Sequence, residues 1–148
     1  NNWINQYMPA YAKKIFIFDS CNSGGMYKSL AALLSGFTWS TGFEVMARNI
    51  TGPCKIVMTA CDKNEESWEV GGYPAYGHGV FTWALTEGMR YPYPADGCLD
   101  GHPKDGAINT EEAFHYASYY TKQYSPGEQN PMIYRGESES EWWYLFTY

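Results

Sequence analysis

Nowhere in its 148 residues does this sequence carry an apolar run approaching the roughly 18 residues that a membrane-crossing helix needs. No membrane span is therefore expected. Cations are scarce: 10 Lys and Arg stand against 16 Asp and Glu, a formal net charge of −6. A polyphosphate backbone would be repelled, which removes nucleic acid from the expected partners, whereas cationic substrates would be drawn in. The first residues, Asn1-Asn2-Trp3-Ile4-Asn5-Gln6, lack the basic, then apolar, then small-residue order of a secretory leader, and they lack an initiator Met. The chain is expected to start inside a longer precursor or after a cleavage. None of the cysteines, Cys21, Cys54, Cys61 and Cys98, forms a Cys-x-x-Cys pair, so a zinc knuckle is not indicated. Disulfides are conceivable among them, although a free Cys21 would leave an odd thiol. There is no internal repeat and no low-complexity segment.

What the sequence does have is a core. Hydrophobic residues make up 45%, and the length suits one domain spanning residues 1–148. The aromatic load is heavy, with 14 Tyr and 6 Trp. A carbohydrate- or peptide-facing surface is compatible with it, but core packing accounts for most of it. Apolar runs bounded by turn formers predict buried strands at Ile15–Phe18 and Lys55–Ala60, with further strands at Pro131–Tyr134 and Trp142–Thr147. Helical spacing predicts helices over Trp3–Ala12, Gly24–Leu34, Phe43–Asn49, Val80–Met89 and Thr110–Gln123. The last opens with Asn109 followed three residues on by Glu112, a capping-box arrangement. Asp62–Gly77 and Arg90–Asn109 read as long loops, rich in Gly and Pro. Strands alternating with helices predict an α/β fold with a mainly parallel sheet.

The strand Ile15-Phe16-Ile17-Phe18 runs directly into Asp19-Ser20-Cys21-Asn22-Ser23-Gly24-Gly25. Open α/β sheets bind ligands beyond the carboxyl ends of their strands. A thiol on such a turn can be exposed and aimed at a substrate, while a core thiol is inert. Asn, Ser and two Gly make poor core material, which favours an exposed Cys21 over a packing one. A phosphatase loop is excluded because Tyr27 stands where its phosphate-holding Arg would be. Asp19 and Thr59 at adjacent strand ends suggest a receiver domain only remotely, since its acidic pair and its Lys are not evident.

The block FIFDSCNSGGM resembles the nucleophile block of caspase-like cysteine peptidases, the clan of caspases, metacaspases, legumains and gingipains. There an apolar strand ends in Asp-Ser-Cys or similar, followed by a small-residue turn and Ser-Gly. KIVMTACDKNEESWE followed by GHGVFTWALTEGM is similar to the clan's next strand, specificity loop and following helix. GAINTEEAFHYA and then NPMIYRG are similar to the tail of the microbial members. The three blocks keep their order and cover Ile15 to about Arg135.

This resemblance implies a caspase-haemoglobinase-like three-layer sandwich with a mainly parallel sheet, its N-terminal strands missing. It implies a Cys/His dyad acting on a peptide or protein substrate, with Cys21 as nucleophile and the Cys21 backbone N–H as one oxyanion donor. No cofactor is required. The clan's His-Gly precedes the Cys block, roughly 50 residues upstream in caspases, and no His stands before Cys21 here. An N-terminal segment or separate chain carrying that His is the expected partner. The alternative is a catalytically inactive caspase-like module that binds a partner. His78 is not assigned the role, because the matching position leads into a structural helix.

Asp19 matches an acid that pairs with Arg or Lys before the scissile bond in metacaspases, and Asp62 falls where some relatives have a second pocket acid. Basic specificity follows as an expectation, since carboxylate–guanidinium pairing is strong and selective. Asp19 reads equally well as a strand-end acid accepting turn N–H groups, and Asp62 as a solvated loop acid. Asp105-Gly106-Ala107-Ile108 with Glu112 mimics the second half of a calcium loop, but Gly101 and Pro103 stand where ligands belong. A turn into a capped helix is the better reading. No metal site is assigned, and calcium at other sites, as in some relatives, stays open. Asn49-Ile50-Thr51 is a glycosylation sequon. The compartment is left open, with a lean toward an extracellular or cell-envelope setting.

Overall fold

The computed structural model describes residue 7 and residues 13–21, 23, 55–62, 64–70, 77–125, 128–135 and 143–148. The expected helices at Trp3–Ala12 (Tyr7 apart), Gly24–Leu34 and Phe43–Asn49, the sequon and Cys54 lie outside the described residues.

In chain order the elements are β1 (Lys14–Phe18), β2 (Lys55–Thr59), β3 (Glu69–Val70), β4 (His78–Gly79), α1 (Val80–Met89), β5 (Ala107–Asn109), α2 (Thr110–Tyr124), β6 (Met132–Arg135) and β7 (Tyr144–Thr147). β1 and β2 pair in parallel, with Ile15 opposite Ile56 and Phe18 opposite Thr59. β6 pairs with β2 antiparallel, giving the order β1-β2-β6. β3–β4 and β5–β7 are separate antiparallel ribbons. The chain is thus mixed α/β. The sheet was expected to be mainly parallel; among the described residues it is a small mixed sheet, one parallel pair and one antiparallel.

Every residue of β2 is buried, as a central strand covered on both faces requires. Ile56 and Met58 join Ile15 and Ile133 on one face, packed against Phe81, Ala84 and Leu85 of α1 and Ala113 and Ala117 of α2. Val57 points the other way, among Phe16, Phe18 and Tyr134. The period of two along a strand separates these sets. Fully burying a side chain such as Phe81 contributes about 1.5–3 kcal/mol.

The two helices begin differently. α2 has the expected capping box: Asn109 accepts from the N–H groups of Glu111 (2.9 Å) and Glu112 (3.0 Å), while Glu112 Oε2 accepts from Asn109 N–H at 3.0 Å. α1 starts at Gly79, which has no side chain to offer as a cap.

β3 at Glu69–Val70 falls inside the loop expected at Asp62–Gly77, and two further elements depart from expectation. The loop expected at Arg90–Asn109 ends in β5, whose residues are all buried. The final strand pairs with β5 rather than joining the main sheet. Asp96 organises this region. Its buried carboxylate accepts from the N–H groups of Asp105 and Gly106 (both 3.1 Å) and from the Tyr148 hydroxyl at 2.7 Å. Burial alone would push the Asp96 carboxyl up. The Tyr148 hydroxyl, those two N–H groups and the Lys104 charge outweigh it and hold the carboxyl below its usual value.

Candidate active site

The turns that follow β1 and β2 lie side by side because the strands are parallel neighbours. The ladder continues past the strand ends, with Ala60 N–H donating to Phe18 C=O at 2.8 Å. Cys61, buried just after β2, then locks the turns together. Its N–H donates to Ser23 Oγ at 3.3 Å. Its Sγ lies 3.4 Å from the Ser20 carbonyl, 3.5 Å from Ser23 Oγ and 3.2 Å from the Glu65 carbonyl. Cys21, between Ser20 and Ser23, is exposed, with its Sγ 3.9 Å from the Ser67 carbonyl. An open thiol is therefore carried on a turn anchored from beneath by a buried one.

The segment after β2 is tied down by two side chains. Gln129 is buried; its Nε2 donates to Ala60 C=O and its Oε1 accepts from Trp68 N–H, both at 2.9 Å. Glu65 accepts from Asp62 N–H at 3.0 Å and from Asn130 through N–H (2.8 Å) and Nδ2 (2.7 Å). Burial would raise the Glu65 carboxyl, but the donors from Asp62 and Asn130 prevail and hold it below its usual value.

Three residues singled out from the sequence, Asp19, Cys21 and Asp62, stand at this same end of the sheet. Asp19 is half-buried. Its Oδ1 accepts from Ser67 Oγ at 2.6 Å, and its Oδ2 accepts from Thr82 N–H at 2.9 Å and Thr82 Oγ1 at 2.6 Å. Asp62 is half-buried, beside Glu65. Ser67, Thr82, Glu65 and Gln129 were not foreseen. The one cue was Gly79, a helix start with no cap of its own.

His102 and His115 keep other company, while His78 adjoins Gly79, which packs against the Asp19 carboxylate. His78 is exposed in β4. His102 Nδ1 lies 3.9 Å from Glu112 Oε1 and 3.5 Å from Asn109 Nδ2. His115 Nδ1 lies 3.8 Å from Cys98 Sγ, a thiol–imidazole pair absent from the sequence reading. Burial, then the Glu112 carboxylate, pushes the Cys98 thiol up to about 11, which disfavours its thiolate at neutral pH.

The turn expected at Asp105–Ile108 is present. Asp105 Oδ1 accepts from Ala107 N–H at 3.0 Å, and Gly106 takes φ 83°. Both Glu112 oxygens have donors, Gly97 N–H at 2.9 Å and Asn109 N–H at 3.0 Å. Among the described residues, no group of three or more His, Cys, Asp or Glu could hold a metal ion. A cleft of about 500 Å³ opens along the outer face of α2, lined by Leu99, Phe114, His115, Lys122 and Ile133 among others. None of its lining residues belongs to the Cys21 turn. Comparison with protein-family models, with curated proteins and with solved structures finds no match.

Proposed function

We propose that this chain is the C-terminal part of a caspase-like cysteine endopeptidase domain, a three-layer α/β sandwich completed by strands outside these residues, with Cys21 as its nucleophile. The observation that carries the reading is the exposed Cys21 thiol at the carboxyl end of a strand paired in parallel, on a turn anchored by Cys61 and Ser23. A nucleophile must be open to substrate yet held by rigid surroundings.

The chemistry runs as acyl transfer. A histidine from an N-terminal segment or separate chain takes the Cys21 proton, and the thiolate attacks a peptide carbonyl. The carbonyl oxygen becomes an oxyanion, stabilised in part by the Cys21 N–H. The C–N bond then breaks, the amine leaves with the proton from the imidazolium, and a thioester remains on Sγ. Water, deprotonated by the same imidazole, hydrolyses the thioester and returns the thiol. No cofactor enters this sequence. Asp62 and Glu65 at this end of the sheet give it a negative field, which favours substrates with Arg or Lys before the scissile bond.

The test is labelling of the full-length protein with a thiol-directed peptide electrophile ending in Arg. Modification of Cys21, with cleavage of Arg peptides lost in Cys21→Ala, is the expected result. Cleavage that survives Cys21→Ala would overturn the reading. An unlabelled Cys21 with no cleavage would instead point to an inactive, partner-binding module.

A further inference from the structure

We propose that Asp19 is a positioning residue that clamps the Cys21 turn to the start of α1 and to the Ser67 segment, and that it does not itself pair with a basic substrate side chain. This rests on the reading of Cys21 as nucleophile.

A helix N-terminus leaves N–H groups without partners, and its dipole favours a negative charge nearby. α1 has Gly79 at its N-cap and no side-chain cap. Asp19 supplies the cap from a distant part of the chain, accepting the N–H and hydroxyl of Thr82 on Oδ2. The approach is close: a Cβ at position 79 would be driven into the Asp19 carboxylate. Glycine is therefore required there by space. The other oxygen takes the Ser67 hydroxyl at 2.6 Å.

Three donors occupy three of about four acceptor positions on a carboxylate. A guanidinium fork needs two oxygens presented in parallel, and Asp19 has no second oxygen to present. Its bonds instead lead toward the thiol by two routes. Along the chain, only Ser20 separates Asp19 from Cys21. Through space, Ser67, whose hydroxyl rests on Asp19, sets its carbonyl 3.9 Å from Cys21 Sγ. One carboxylate thus fixes both the turn that carries the sulfur and the carbonyl beside it.

Two variants separate this role from substrate pairing. Asp19→Asn removes the charge but keeps an oxygen for Thr82 and an amide that can donate to Ser67 Oγ. Asp19→Ala removes every bond. Peptides with Arg, Lys or Ala before the scissile bond are assayed with the full-length protein. Asp19→Ala is expected to lower kcat about tenfold on all three peptides alike, because misplacing a reacting group costs rate. Asp19→Asn is expected to recover most of that loss, with KM for the Arg and Lys peptides unchanged. A rise in KM confined to the Arg and Lys peptides, equal in both variants, would overturn the proposal.

If the full-length protein cleaves nothing, the peptidase reading fails by itself and the clamp is judged by amide exchange in the same full-length protein. Faster exchange at Thr82 in Asp19→Ala by about tenfold, restored in Asp19→Asn, supports the clamp; unchanged protection overturns it. If Asp19→Ala does not fold, Ser67→Ala, which removes one bond without touching the helix, is expected to lower kcat about threefold across all peptides. An unchanged kcat in Ser67→Ala counts against the clamp.

Discussion

Cys21 and Cys98 are both free thiols, and their surroundings differ. Cys98 has an imidazole 3.8 Å away and a buried carboxylate near it, and its thiol is driven up to about 11. Cys21 lies in the open, beside the Ser67 carbonyl, on a turn locked by hydrogen bonds. A nearby histidine does not by itself activate a thiol. Around Cys98, burial and the Glu112 charge disfavour the thiolate before the imidazole can help. Cys21 instead has the exposure and the rigid support that leave its sulfur open to an approaching group.

The sharpest way to break this contrast is alkylation by iodoacetamide with peptide mapping at pH 8. A thiol near 11 is about a thousandth ionised there, and Cys98 is also partly buried whereas Cys21 is exposed. Cys21 is expected to label while Cys98 stays intact, and Cys98 labelling should climb only as the pH approaches 11. Comparable labelling of both at pH 8 would erase the distinction.

Next in size is Glu112→Ala. The variant strips the acceptors from Gly97 N–H and Asn109 N–H in a buried setting, at an expected cost of about 2–4 kcal/mol by urea unfolding. It should also bring the Cys98 titration down toward the ordinary range, while Cys21 alkylation is unaffected. Gln129→Ala acts on the other side of the comparison. It leaves Ala60 C=O and Trp68 N–H unpartnered, and a loss of about 1–3 kcal/mol is expected in the same assay. Here the Cys21 alkylation rate should change and that of Cys98 should not.

The smallest effect is one of pH. The Asp96 carboxyl is held below its ordinary value of 3.8, so its stabilisation is complete above that value and is lost as the pH falls through the lowered one. Urea midpoints of the parent should therefore decline more steeply below pH 4 than those of Asp96→Asn. Parallel declines would show that Asp96 contributes nothing to acid sensitivity.

Much of this was legible from local pattern. The runs at Ile15–Phe18 and Lys55–Ala60 are strands, Val80–Met89 and Thr110–Gln123 are helices, and Asn109 with Glu112 forms the box their spacing announced. These signals live within one segment, where periodicity reports a buried face and a cap lies next to its helix. The remainder joins distant segments. Asp19 finds Ser67 and Thr82 at separations of 48 and 63 residues, and Cys98 meets His115 only because a loop folds back on α2. Hydropathy carries no record of such bonds. β5 escaped for a different reason: with three residues, Ala107–Asn109 is too short to show alternation.

Gln129 and Asn130 give the segment beside the Cys21 turn a place in time. Their bonds to Ala60, Trp68 and Glu65 span 69, 61 and 65 residues. Contacts so far apart form only after most of the chain has been ordered, and each carries the entropy of closing a long loop. A growing or partly folded chain can hold β1 beside β2 and Cys61 against Ser23, yet the segment after β2 lacks its ties to Gln129 and Asn130 until the stretch before β6 arrives. The segment that sets the Ser67 carbonyl beside the Cys21 thiol thus takes its final support from a stretch 61 to 69 residues further along the chain.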